Sequence, residues 1–218
     1  FKEIKNKKTD ITGMVHIFDN EIIAQLNGKA LDLSETDMLQ FLEKERDGGN
    51  SKLRINSDRV KLKDDIWLND LKLMFECDET RCFSGYIDSK IGSRDIEMLL
   101  TAKNDREDWL IKCSDAGALL KGIGAYDSMK SGRMILNIST SRKEVRPGEI
   151  IPILDGTFTF ERFKLQDTPA ITRLVSFVSL PGFISLISGN KDISFSGMNG
   201  KFSFENELLK IDNSFATG

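Results

Sequence analysis

Residues 67–77, WLNDLKLMFEC, carry Leu71, Leu73, Phe75 and Cys77 at every second position. An extended backbone places all four on one face. The same period of two runs through EIIAQLNGKALDL (21–33), SKLRINSDRVKL (51–62), RCFSGYIDSKI (81–91), RDIEMLLTA (94–102) and EDWLIKC (107–113). Asn, Asp, Ser and Gly turns separate these segments at meander-like intervals. Past residue 130 the alternation sharpens. Met134, Leu136 and Ile138 oppose Arg133, Asn137 and Ser139, and Phe158 pairs in phase with Phe160. Phe202 and Phe204 alternate with Lys201 and Ser203, then Leu209 and Ile211 with Lys210 and Asp212. Phe163 and Leu165 fall one residue out of phase with Phe158 and Phe160, which predicts a bulge near Glu161–Arg162. Gly28 inside its segment predicts a bulge or a close backbone approach. No strand–helix–strand rhythm recurs, so a parallel α/β sheet is disfavoured. The expectation is a mainly β chain whose sheet has one oily and one wet face.

Three segments carry helical signals instead. SETDMLQFLEKER (34–46) starts with Ser34 as N-cap and Asp37 three residues on, and GGN at 48–50 stops it. SDAGALLKGIG (114–124) starts at Ser114 and ends at Gly122 and Gly124, with Leu119, Leu120 and Ile123 as its apolar stripe. DTPAITRLVSFVSL opens at Asp167 with Pro169 near the first turn, breaks at Pro181–Gly182 and continues as FISLIS. Between Thr168 and Asn190 the only charged side chain is Arg173, in a chain that is 30% charged. The stripe Ile171, Leu174, Val175 and Val178, with Phe183 after the break, leaves two readings. It is the core helix of an α+β domain, or it closes one end of an apolar trough. Its four serines and the Pro–Gly break argue against a membrane span.

Composition removes other function classes. A net charge of −3 over 218 residues provides no basic field, so nucleic acid is not an expected partner. The length suits one elongated domain or two small ones. The single His16 and the distant Cys113 form no ligand-spaced metal set. Neither G-x-S-x-G nor GxxxxGK[ST] occurs, and the GIG at 122–124 reads as a helix C-cap rather than a dinucleotide loop. Asp64–Asp65 lie in a turn-like KDDIW with no apolar pocket to raise a carboxyl pKa. An enzyme is therefore the weakest of three functional classes, and no cofactor is expected. Cys77 and Cys82 flank DETR; in a hairpin they lie opposite each other. They are either a disulfide, which implies an oxidising compartment, or two free thiols. The start, FKEIKNKKTD, has no Met and no signal-peptide core, and both ends read as cut from a longer chain.

Several motifs carry a resemblance. Ser114–Asp115–Ala116–Gly117–Ala118–Leu119–Leu120, then Gly124–Ala125–Tyr126–Asp127 and Ser131–Gly132–Arg133–Met134, resemble the AsmA-like C-terminal region of bacterial envelope proteins. That group includes the TamB- and YhdP-type bridge-like proteins. GTFTFERFKLQDTPAITRLVSFVSLPGFISLISG (156–189) and the closing LLKIDNSFATG are similar to further blocks of that family. The resemblance covers roughly residues 20–218 and is specific over 110–218. Ser131 stands where a second glycine is usual, Cys113 has no counterpart, and the family's N-terminal membrane anchor is not in this chain.

The resemblance implies an elongated, curved antiparallel sheet forming an apolar groove, with about three short helices. Residues 1–110 would form an N-terminal β-rich part with the 34–46 helix. Residues 111–218 would form the AsmA-like segment, with helices near 114–123 and 168–188. It implies a non-enzymatic lipid-transfer and envelope-biogenesis role in the periplasm. The complete protein would be attached to the inner membrane through parts absent here, and phospholipids would pass toward the outer membrane. Acyl chains would lie against Met134, Leu136, Ile138, Phe158, Phe160, Phe202, Phe204, Leu209 and Ile211. Ile171, Leu174, Val175, Val178 and Phe183 would close the groove. The alternative is a structural or assembly factor that holds other envelope proteins through its sheet edges.

Overall fold

The computed structural model describes residues 2–5, 9–36, 49–79, 81–104, 106–146, 149–166, 192–205 and 208–218. Its strands are β1 (Lys2–Lys5), β2 (Asp10–Phe18), β3 (Glu21–Asp32), β4 (Asn50–Lys61), β5 (Trp67–Cys77) and β6 (Cys82–Ile91). They continue as β7 (Arg94–Lys103), β8 (Arg106–Cys113), β9 (Met129–Arg146), β10 (Glu149–Leu165), β11 (Ile193–Glu205) and β12 (Leu208–Thr217). All lie side by side in chain order in one sheet. The chain is mainly β, as the period of two requires. The sheet is open and not strongly curled, so the pronounced curvature that the resemblance implies is absent from the described residues. A boundary near residue 110 falls inside β8, which pairs with both β7 and β9.

One pair departs from the meander. β3 and β4 run parallel, with Glu21 opposite Asn50 and Asp32 opposite Lys61. A parallel pair of neighbouring strands needs a crossover connection, which falls within residues 33–49, of which 37–48 lie outside the described residues. Within it, Ser34 lies in a turn and donates its N–H to the Asp32 carboxylate at 2.9 Å. Most of the helix expected over 34–46, and all of that expected over 168–188, lies outside the described residues.

The described residues hold one α-helix, α1 (Ala116–Gly122). Its N-cap is Asp115 rather than Ser114: the Asp115 carboxylate accepts the Ala118 N–H at 3.2 Å and pairs with the Arg94 guanidinium at 2.7 Å. At the other end Gly124 takes φ +77°, the Gly124 N–H reaches the Lys121 carbonyl, and the Ala125 N–H reaches the Leu120 carbonyl. That pair of bonds is a Schellman closure, and glycine supplies the left-handed residue it needs. The deepest helix positions are the small ones, Ala116, Gly117 and Gly122, rather than the expected leucines. A Cβ on Gly117 would lie 2.6 Å from the Met129 carbonyl oxygen, so α1 rests directly on the β9 backbone. Leu119 and Leu120 then pack beside a buried cluster of Ile96, Cys113, Met129, Met134, Phe163 and Phe195, among others. Ile123 packs beside a second cluster built on Val60, Leu62 and Leu71.

The expected irregularity in β10 is present but differs in kind. Arg162 is left-handed at φ 51°, yet the pairing with β9 keeps one register on both sides of it, Glu161 with Arg133 and Phe163 with Ser131. The reason lies across the ladder, where Ser131 and Gly132 take φ 57° and 93° at the same level. Both strands reverse their side-chain phase together, so no residue is inserted. Phe160 and Phe163 thereby reach the same cluster despite an odd spacing. Gly28 behaves as expected. The β2–β3 register shifts beside it, and a Cβ there would clash with the Asp10 carbonyl oxygen.

Candidate functional site

Residues directly opposite in a ladder share a face. Following the register across the sheet yields one continuous apolar row: Leu26, Ile55, Leu73, Ile87, Met98, Ile111, Leu136 and Phe158, one from each strand β3 to β10. Seven strand spacings of about 4.8 Å make this row roughly 34 Å long. A second row on that face runs Ala24, Leu53, Phe75, Gly85, Leu100, Trp109 and Ile138, then Gly156, Phe202 and Ile211. The two glycines make room for rings. A Cβ on Gly85 would enter the Phe75 ring, and one on Gly156 would enter the Phe202 ring.

The opposite face of the same strands is wet. Thr12, Asn27, Asn56, Lys72, Asp88, Glu97 and Lys112 follow one another in register. Bonds such as Asn56 to Asn27 at 2.8 Å and Lys112 to Glu97 at 3.5 Å tie neighbours together across it.

Register places the expected lining residues other than Leu209 on the apolar face. Met134 stands beside Phe160, Leu136 beside Phe158, Ile138 in the Phe202–Ile211 row, and Phe204 opposite Leu209. They are not equally available. Met134 and Phe158 are buried, Phe160 packs on Phe158 and Phe163 with ring centroids near 6 Å, and Phe204 is 38% exposed. Ile171, Leu174, Val175, Val178 and Phe183 lie outside the described residues. The sequence reading did not extend the lining to β3–β8, although Leu71, Leu73 and Phe75 already showed the signal. Alternation within one strand does not say which of its two faces continues the neighbour's oily face; only register does.

Along the strands the face changes character. Toward α1 it is filled: Val60, Met134 and Phe163 are almost wholly buried, and Phe163 stacks on Phe195 with ring centroids 4.8 Å apart. Toward the β2–β3 turn Ile22 and Phe204 are exposed, in rows that otherwise carry half-buried Ser51, Leu154, Thr140 and Glu107 and the buried Cys77. Cys77 and Cys82 are cross-strand partners and form a disulfide that closes the β5–β6 hairpin there. Cys113, in the filled half, is a buried free thiol whose pKa is pushed up to about 11 by burial. That suppresses the thiolate and with it nucleophilic chemistry. His16 stacks on Phe18 in β2 and is exposed.

Among the described residues no three His, Cys, Asp or Glu side chains gather as a metal site, and no helix is long and apolar enough to cross a membrane. No protein-family model matches the chain, and comparisons with curated proteins and with solved structures find no match.

Proposed function

We propose that this chain is a non-enzymatic segment of a bridge-like lipid-transfer protein of a bacterial envelope, with phospholipid acyl chains lying against the apolar face of its sheet. The observation that carries this reading is the unbroken apolar row from Leu26 to Phe158, backed by a polar opposite face. Returning an acyl chain to water costs about 0.8 kcal/mol per CH₂, so roughly sixteen carbons forfeit on the order of 10 kcal/mol. A row of roughly 34 Å exceeds the approximately 15 Å of hydrocarbon in one leaflet, half of a bilayer core of about 30 Å. A tail can therefore stay in contact with side chains along its whole length. The face is then a groove floor open along the β2–β3 side and closed under α1, with tails on it and headgroups in water. The proposed setting is the periplasm, with inner-membrane attachment through other parts of the protein.

Native mass spectrometry after mild purification tests the reading, together with photo-crosslinking by a phospholipid carrying a diazirine tail. Phospholipid is expected on the wild-type chain. The variant Phe204→Glu with Ile22→Glu, at exposed positions that tolerate charge, is expected to lose most of the crosslink while keeping its circular dichroism. A lipid-free chain, or crosslinking indifferent to the double substitution, overturns it.

A further inference from the structure

On the polar face, neighbouring strands set opposite charges together. Lys52 pairs with Glu21 at 3.2 Å, Lys90 with Asp70 at 3.4 Å and Lys112 with Glu97 at 3.5 Å. The start of β9 and the end of β10 break that habit. Lys130 stands directly opposite Lys164, Arg133 stands opposite Glu161, and Arg162 lies between the two rungs. Lys130, Arg133, Arg162 and Lys164 are all exposed, and Glu161 is half-buried. Like charges directly opposite in a ladder, with Cβ atoms about 5 Å apart, repel each other. On β11 the residue opposite Lys164 is Ser194, which adds no charge. Asp192, further toward the strand end, accepts the Gln166 amide on both carboxylate oxygens, at 2.9 and 2.8 Å. The left-handed residues Ser131, Gly132 and Arg162 create the cluster. They keep Met129, Phe163 and Leu165 buried, so Lys130 and Lys164, which alternate with them, join Arg133 on the polar face. An unbroken period of two from Phe160 would turn Lys164 inward instead.

We infer that Lys130, Arg133, Arg162 and Lys164 form a docking site for the phosphates of an anionic phospholipid surface. Charge complementarity carries it: a phosphate between Lys130 and Lys164 replaces their mutual repulsion by attraction to both. The net charge of −3 conceals this local excess, because the acidic residues lie elsewhere on the sheet. The sequence rooted beside the cluster favours a membrane over an acidic protein. Residues 167–191 leave at Gln166 and return at Asp192, and they hold one carboxylate, Asp167, against Arg173 and Lys191. The remainder is uncharged and rich in Leu, Ile, Val and Phe, a composition suited to the boundary between headgroups and hydrocarbon. A nucleic-acid duplex is a poorer fit, since it usually engages roughly six to ten phosphates and these cations span only two strands. The cluster lies on the face opposite the apolar rows. The contact is therefore separate from the proposed seat of the acyl chains, and it stands whether or not that face carries them.

Vesicle co-sedimentation of the full chain tests it. The wild type is expected to sediment with vesicles of phosphatidylglycerol and phosphatidylethanolamine and to stay in solution with phosphatidylcholine vesicles. Raised salt is expected to release it. Lys130→Gln, Arg133→Gln and Lys164→Gln combined are expected to weaken binding on the order of tenfold or more, with circular dichroism unchanged. A control with the same charge change at other exposed positions, Lys72→Gln, Lys103→Gln and Lys201→Gln, is expected to bind as the wild type does. The charge-neutral pair Phe204→Gln and Ile22→Gln separates this contact from the acyl-chain reading: it should weaken the tail crosslink and keep vesicle binding. A chain that stays in solution with both kinds of vesicle overturns the inference, as does equal sedimentation with both. Equal losses in the two triple variants, tighter binding of duplex DNA than of anionic vesicles, or vesicle binding lost with Phe204→Gln and Ile22→Gln overturn it too.

Discussion

The two ends of the sheet share one alternating pattern and differ in what lies on it. At the α1 end Phe163 is 1% exposed between Phe160 and Phe195, while at the β2–β3 end Ile17 is 75% exposed. Both are apolar residues at strand positions. What separates them is the small-residue face of α1, which seats the helix on β9 and brings Leu119 and Leu120 over one half of the face. A sheet's oily face becomes a core only where something is laid on it. The same side chains remain a surface elsewhere.

The sharpest way to break that contrast is chemical labelling. The Cys113 thiol is buried with its pKa raised from 9.0 to about 11, so it should react at pH 8.5 only through unfolding. A cysteine introduced by Ile22→Cys should react more than about a thousandfold faster, since unfolding costs of roughly 5 kcal/mol or more set the protection. Comparable labelling rates would show that the α1 end is not filled. The sign of the linked stability follows from the raised pKa: burial favours the neutral thiol, so Cys113 contributes nothing adverse at neutral pH. It begins to oppose folding as pH rises above the unfolded value toward 11.

Truncation sharpens the comparison energetically. Phe163→Ala should cost about 3–5 kcal/mol in urea unfolding, whereas Phe204→Ala, at the open end, should cost about 1 kcal/mol or less. Similar losses at both would erase the distinction. Removing the disulfide with Cys77→Ser and Cys82→Ser acts only at the open end. Its short loop, with a sequence separation of 5, corresponds to about 2 kcal/mol by chain entropy, read as a lower urea midpoint. The smallest effect belongs to the helix that creates the contrast. Asp115→Ala removes the α1 N-cap and the Arg94 pair and should lower stability by about 1 kcal/mol. Hydrogen exchange should then accelerate in α1 before it does so in β2 or β3.

Much of the fold was legible because a strand writes itself into sequence locally. β5 occupies the residues read as its segment, 67–77, and the segments beginning near Asn50, Cys82, Arg94 and Arg106 agree to within a residue or so. The α1 C-cap was legible for the same reason, since two glycines after a helical stripe admit few conformations. Less was legible where two strands had to be known together. Arg162 reads as a simple bulge until Ser131 and Gly132 are seen to be left-handed at the same level. β2 was not delimited from the sequence beyond His16 as a strand residue, because Gly13 and Thr12 interrupt its apolar residues. Alternation within single strands was enough to group the apolar residues near the C-terminus on one face, and the continuous rows through β3–β8 were not legible without the register.

By itself the sequence determined the strands from β3 onward, their oily and wet sides, the hairpin that brings Cys77 to Cys82, and the C-terminal end of α1. Each is decided by residues a few positions apart, where backbone sterics and the period of two act directly. Tertiary structure alone decided the parallel return of β4 beside β3, the register that joins separate stripes into one apolar row, and which half of that row α1 covers. Those depend on contacts between residues remote in the chain, and a side chain's place on its own strand carries no record of its neighbour's.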